Sequence, residues 1–126
     1  MSTEHSDGWQ PLKGLKVIDF SMLLPGPMTT LILADLGAEV IKVEPPGGDY
    51  ARGMKSFLFE GANRNKTSIV VDLKSPDSGE IVRRLAEYGD IAIEGFRPGV
   101  ADRLGIGPKQ LQAINPDLIY CSLSGF

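Results

Sequence analysis

The chain has 126 residues, 42% of them hydrophobic and 23% charged, with a formal net charge of -3. That profile describes a globular chain with a single core, too short for separate cofactor and substrate domains. A pI near 5.1 with scattered cations excludes the basic stripe of a nucleic-acid binder, and no apolar run reaches the roughly 18 residues of a membrane span.

Residues 1–10 mix Ser, Thr, Asp and Gly without periodicity and read as a flexible leader; residues 11–126 form the structured unit. The leader is polar and acidic rather than basic and then apolar, so it is no signal segment and the expected compartment is the cytoplasm. Leu15–Phe20 is a short β-branched and aromatic run that predicts a first strand. Pro25 and Pro27 then forbid continued pairing, and Pro27 suits the first turn of a nearly all-apolar helix over Met28–Leu36 that Gly37 terminates. Ala38–Glu44 resumes the extended pattern and stops at Pro45-Pro46-Gly47-Gly48. A strand, a buried helix and a second strand within about 30 residues imply parallel strands joined by a right-handed crossover.

The connection from Pro45 to Asn65 lacks strong periodicity, with a short helix expected over Met54–Phe59. A third strand follows at Ser68–Leu73. Ser75 and Pro76 then have the chemistry of a helix cap and first position, and Ile81, Val82, Leu85 and Ala86 recur at helical spacing up to Gly89. Asp90–Glu94, Pro108–Ile114 and Asp117–Leu123 predict a fourth strand, a short helix and a fifth strand. The repeated β-α order predicts an α/β fold with a Rossmann-like open, mostly parallel sheet. Both faces of such a sheet need cover. A chain that stops after its last strand is therefore expected to be an incomplete piece of a larger fold, or to depend on a partner.

Ligands of open parallel sheets collect at the C-terminal ends of the strands. Those ends here carry Met22–Pro27, Glu44 with the Gly47-Gly48 loop, Leu73-Lys74 and Gly95–Gly99, a combination of glycines, apolar side chains and cations that suits a nucleotide-like ligand. Glu44 stands where a ribose-binding acid of a dinucleotide fold would sit, but Pro25-Gly26-Pro27 replaces the required G-x-G-x-x-G. Lys42, Arg52, Lys55, Arg64 and Lys66 read as solvated surface, the last two also as possible phosphate neighbours. The single cysteine, Cys121, reads as a small core residue, and one histidine, His5, leaves no metal-ligand spacing.

Several stretches in order carry a specific resemblance: Leu12–Asp19, Pro25-Gly26-Pro27, Leu33–Glu44, Asn63–Lys66, Asp72-Leu73-Lys74, Glu94–Gly99 and Leu118-Ile119-Tyr120. Together they resemble the N-terminal third of the family III CoA-transferases, a family that includes carnitine CoA-transferases, formyl-CoA transferases and α-methylacyl-CoA racemases. The resemblance implies a larger fold built as two interlocked subunits, coenzyme A bound as acyl-CoA substrate, and a carboxylic acid as the second substrate. Carried over by position, Leu23 would touch the CoA, Leu73 and Lys74 would hold the adenine and its phosphates, and Gly95 and Arg97 would line the nucleotide. Arg103 matches an arginine near the pantetheine end.

In the transferases an aspartate carries the acyl group, and in the racemases a histidine and an aspartate exchange the α-proton. Both would follow the segment that is Ser124-Gly125-Phe126 here. This stretch is therefore expected to bind without catalysing and to hold no metal. Transfer of CoA between carboxylic acids is the first expectation, racemisation the second, and a non-catalytic binding or dimerisation module the third. Leu24 and Met22 replace the glutamine and histidine of the formyl-CoA type, which favours an apolar acyl group.

Overall fold

The computed structural model describes residues 8–54 and 57–124. His5, most of the leader, Lys55 and the Gly125-Phe126 pair lie outside the described residues. Five strands, β1 (Lys16–Asp19), β2 (Glu39–Glu44), β3 (Thr67–Val70), β4 (Ile91–Glu94) and β5 (Ile119–Ser122), form one sheet in the order β3-β2-β1-β4-β5, with every neighbouring pair parallel. The helices are α1 (Pro25–Asp35), α2 (Leu58–Asn63), α3 (Ser78–Tyr88), α4 (Val100–Arg103) and α5 (Pro108–Ile114), with a 3-10 turn at Tyr50–Gly53.

Because strand side chains alternate between faces, adjacent residues of β1 feed separate cores. Ile18 joins Val82, Leu85, Leu111 and Leu118 under α3 and α5, while Val17 joins Val40, Ile93 and Ala34 of α1 on the opposite face. This two-faced burial matches the adjacent apolar residues of β1 and β4 in the sequence and the expected α/β architecture. Gly37 ends α1 at φ +106°, a left-handed conformation that lets its N–H reach Ala34 O at 3.0 Å.

Boundaries shift where hydrogen bonding overrides pattern. Strand β3 stops at Val70 rather than Leu73, because its neighbour β2 runs into Pro45 and Pro46, which have no N–H to offer the ladder. Val71 N still reaches Glu44 O at 2.9 Å before Asp72 and Leu73 peel away. Helix α3 begins at Ser78, after a turn in which Ser75 Oγ accepts the Asp77 N–H at 3.2 Å, so the expected cap holds a turn instead of the helix itself. The short helix of the long connection lies at Leu58–Asn63, not Met54–Phe59. Helix α4 has one turn, too short to leave a periodic signal. Cys121 is only partly buried and packs against the α1-side core. No helix among the described residues is long and apolar enough to cross a membrane.

Candidate functional site

Strand order 3-2-1-4-5 reverses direction between β1 and β4, and the loops after those strands part to leave a crevice. A cleft of about 740 Å³ opens at that point, bounded by the chain leaving β1, β2, β3 and β4. The volume lies within the range of small-molecule sites. Its floor is apolar: Phe20 and Val43 from the strand ends, Val71 after β3, Val100 of α4 and Leu104 just after it.

Five of the six residues singled out from the sequence line this one cleft: Leu23, Leu73, Lys74, Gly95 and Arg97. Leu73 and Lys74 stand on the β3 side, Gly95 and Arg97 on the β4 side, and Leu23 between them. Lys74 and Arg97 are exposed and make no ion pair among the described residues. Arg97 also borders a second hollow of about 460 Å³ behind the Gly95–Gly99 turn, against Glu94, Tyr120 and Ser122. Arg103 is not among the lining residues. It stays on the exposed side of α4, where a Cβ on Gly99 would stand 3.3 Å from its Nη1, and it forms no ion pair with Asp102.

Behind the cleft the strand ends carry a buried polar network that the sequence reading treated as surface. Lys42 and Asp49 form a 2.8 Å ion pair whose side chains are 1% and 0% exposed. Lys42 Nζ also donates to Ser21 O at 3.0 Å, and the Asp49 carboxylate accepts the N–H of Leu23 at 3.2 Å and of Ala51 at 2.8 Å. Leu23 is held at φ +72°, a left-handed conformation that β-carbon-bearing residues rarely adopt.

Glu44 is likewise buried rather than a solvated strand end. It receives Arg52 Nε at 2.7 Å and Nη2 at 2.8 Å, the Asp49 N–H at 2.7 Å, and the Ser68 hydroxyl. The Arg52 hydrogen bond dominates over the opposing effect of burial and holds the Glu44 carboxyl down at about 2. With every lone pair occupied by its own chain, Glu44 has nothing left for a ribose. Arg52 in turn stacks on the Phe59 ring, 3.8 Å from the centroid.

Asp19 is buried at the end of β1 and accepts from Ser21, Thr30 and Lys66, the last at 3.3 Å. Lys66 also donates to Pro27 O at 2.9 Å and Asn63 Oδ1 at 2.8 Å, and burial lowers its ammonium to about 8. It is thus a structural cation, not a phosphate neighbour. Arg64 pairs with Asp35 at 2.8 Å on the exposed end of α1, away from the cleft. One signal for the buried cations was present in the sequence: Lys42 alternates with Ile41 and Val43 in a strand whose two faces are both covered.

A family model described as CoA-transferase family III matches residues 12–126. The chain is 43% identical over 126 residues to the probable fatty acyl-CoA transferase Rv3272 of Mycobacterium tuberculosis, covering 93% of this chain and 32% of that protein. A crystal structure of Rv3272 superimposes with a TM-score of 0.90 at 44% identity, over 93% of this chain and 33% of that one. The acetyl-CoA:oxalate CoA-transferase of Acetobacter aceti is 48% identical over 92% of this chain and 32% of its own length. Human alpha-methylacyl-CoA racemase is 43% identical over 91% of this chain and 28% of its own length. The chain spans about a third of the length of the curated relatives it matches.

Proposed function

Because the chain belongs to CoA-transferase family III, matched from residue 12 to residue 126, we propose that its cleft holds the nucleotide end of a coenzyme A thioester for transfer of CoA between carboxylic acids. The observation that carries the reading is the convergence of Leu23, Leu73, Lys74, Gly95 and Arg97 on one apolar-floored cleft, with two cations at its rim that form no ion pair among the described residues. Coenzyme A has the matching chemistry, an aromatic base with anionic phosphates. The cations supply charge-assisted hydrogen bonds and the floor takes the adenine, while Gly95, where a Cβ would stand 3.3 Å from Leu123 O, lets the backbone after β5 close in beside the cleft wall. Arg103, outside the cleft lining, would engage the ligand farther along.

The reacting carboxylate is proposed to come from outside the described residues. Asp19, Glu44, Asp49 and Glu94 are each buried and bonded within the chain, and Asp72 is exposed with its oxygen on the Lys74 N–H. A carboxylate attacking the thioester carbonyl breaks the C–S bond, releases the CoA thiolate and keeps the acyl group as a mixed anhydride; the thiolate then attacks the carboxylate's own carbonyl and expels the first acid, and on the resulting protein–CoA thioester a second acid runs the same two steps in reverse and leaves as its CoA thioester. This stretch alone is accordingly expected to bind CoA without turning it over. The interlocked homodimer, the cytoplasmic location and the absence of a metal belong to the same proposal.

Racemisation is the second reading, supported by the 43% identity to the human racemase. It uses the same nucleotide handle, but it exchanges the α-proton of a 2-methylacyl-CoA without any acceptor acid, and solvent deuterium uptake distinguishes the two. The binding test is calorimetric titration of CoA and of NAD into the full chain, with Lys74→Ala and Arg97→Ala beside the wild type. CoA is expected to bind and NAD not. Each substitution is expected to weaken CoA about tenfold to a hundredfold, as loss of one charge-assisted phosphate contact implies. Unchanged affinity in both variants removes the cleft from the CoA site.

A further inference from the structure

We infer that the buried Lys42–Asp49 pair positions the β1–α1 loop for ligand, by gripping both ends of the tripeptide that faces the cleft; the inference rests on the coenzyme reading above. Ser21, Met22 and Leu23 all line the cleft. Lys42 Nζ holds the carbonyl of Ser21 at 3.0 Å, and the Asp49 carboxylate holds the N–H of Leu23 with 3.2 and 3.3 Å to its two oxygens. The two clamping groups are themselves joined at 2.8 Å. They come from different parts of the chain, β2 and the connection after it, and Asp49 is fixed independently through its own N–H to Glu44 and its carboxylate on Ala51 N.

Leucine does not hold φ +72° unaided, and such a conformation persists only where surrounding contacts over-determine it. Without the carboxylate on its N–H, Leu23 relaxes toward negative φ and its side chain leaves the cleft wall. The pair lies behind the wall and has no exposed surface with which to touch ligand itself, so Lys42 and Asp49 are positioning residues. Their burial explains why charge is used here: in a dry setting the two hydrogen bonds are strong, and neither group has water as an alternative partner.

The test compares Asp49→Ala, Asp49→Asn and a core variant of similar destabilisation on the opposite face of the sheet, Leu111→Ala, in the full chain. Two quantities are read at a temperature where each is folded: hydrogen exchange of the Leu23 amide and affinity for CoA. Asp49→Ala is expected to lose Leu23 amide protection and to weaken CoA about tenfold, because only a fraction of molecules then has the competent loop. Asp49→Asn keeps an acceptor oxygen and is expected to recover a large part of both. Leu111→Ala is expected to change neither, although it lowers stability as much. If Asp49→Ala leaves the Leu23 amide protected, the clamp is wrong; if it abolishes protection with CoA affinity unchanged, the positioning role is wrong. Should Asp49→Ala fail to fold, Asp49→Asn decides: a partial loss of both that Leu111→Ala lacks upholds the inference, whereas wild-type values of both, or losses matched in the Leu111→Ala control, overturn it. A wild type that binds no CoA refutes the coenzyme reading instead, and the amide exchange still decides whether the clamp exists.

Discussion

Replacing Glu44 by glutamine isolates a charge that works entirely inside the protein. The carboxylate accepts two Arg52 hydrogen bonds, one backbone N–H and one hydroxyl. Glutamine keeps the shape but places an NH2 donor against the guanidinium or against Ser68. The native carboxyl is held near 2 against an ordinary 4.5, a difference equivalent to about 3 kcal/mol before screening. Arg52 is 45% exposed, so solvent reduces the net contribution to about 1–2 kcal/mol. The sign follows from the lowered value: the unfolded chain takes up the proton first, so the stabilisation is present above pH 4.5 and is lost as pH falls toward 2. Urea unfolding of wild type and Glu44→Gln at pH 7 should therefore differ by about 1–2 kcal/mol, and the gap should narrow steadily between pH 4.5 and 2.5. A gap of equal size at pH 7 and 2.5 refutes the account, because a packing defect, unlike a carboxylate, does not titrate.

Three further outcomes follow from the same geometry. Gly26→Ala places a methyl into Ser21 Cβ and Oγ, which Asp19 holds in place, so thermal or urea unfolding should show a loss of about 3 kcal/mol, at the upper end of overpacking. Lys66 is lowered to about 8 by burial. The unfolded chain then binds more protons between pH 8 and 10, so wild-type stability should rise with pH across that window while Lys66→Met lacks the rise. Arg64→Ala breaks only the exposed pair with Asp35 and should change stability by less than about 0.5 kcal/mol, with CoA affinity unaltered.

The fold was legible because β1, β2 and β4 each carry adjacent apolar residues and each long helix has its own punctuation. Val17 and Ile18 in β1, and Ala92 and Ile93 in β4, state by composition that both faces are buried. What the sequence hid depended on neighbours in space. Strand β3 ends early because Pro45 and Pro46 follow the strand beside it, a pairing invisible along the chain. Likewise, α4 has four residues and no second turn on which a period could show.

The cations show the same division at the level of function. Lys42, Arg52, Lys66, Lys74 and Arg97 all fall near strand ends, and nothing in their spacing separates them. What separates them is whether a carboxylate arrives from elsewhere in the chain. Asp49 reaches Lys42, Glu44 reaches Arg52 and Asp19 reaches Lys66, each across the pairing of β1 and β2 or the connection that follows, whereas among the described residues no acid is delivered to Lys74 or Arg97. A cation whose charge is already met inside the chain gains little from a phosphate, since binding would require breaking a desolvated pair. One left in water at the mouth of an apolar cleft exchanges only hydration for the ligand's charge. The two rim residues are therefore the ones whose removal should register in ligand affinity rather than stability, Arg52 and Lys66 the reverse, and Lys42, through the loop it holds, in both.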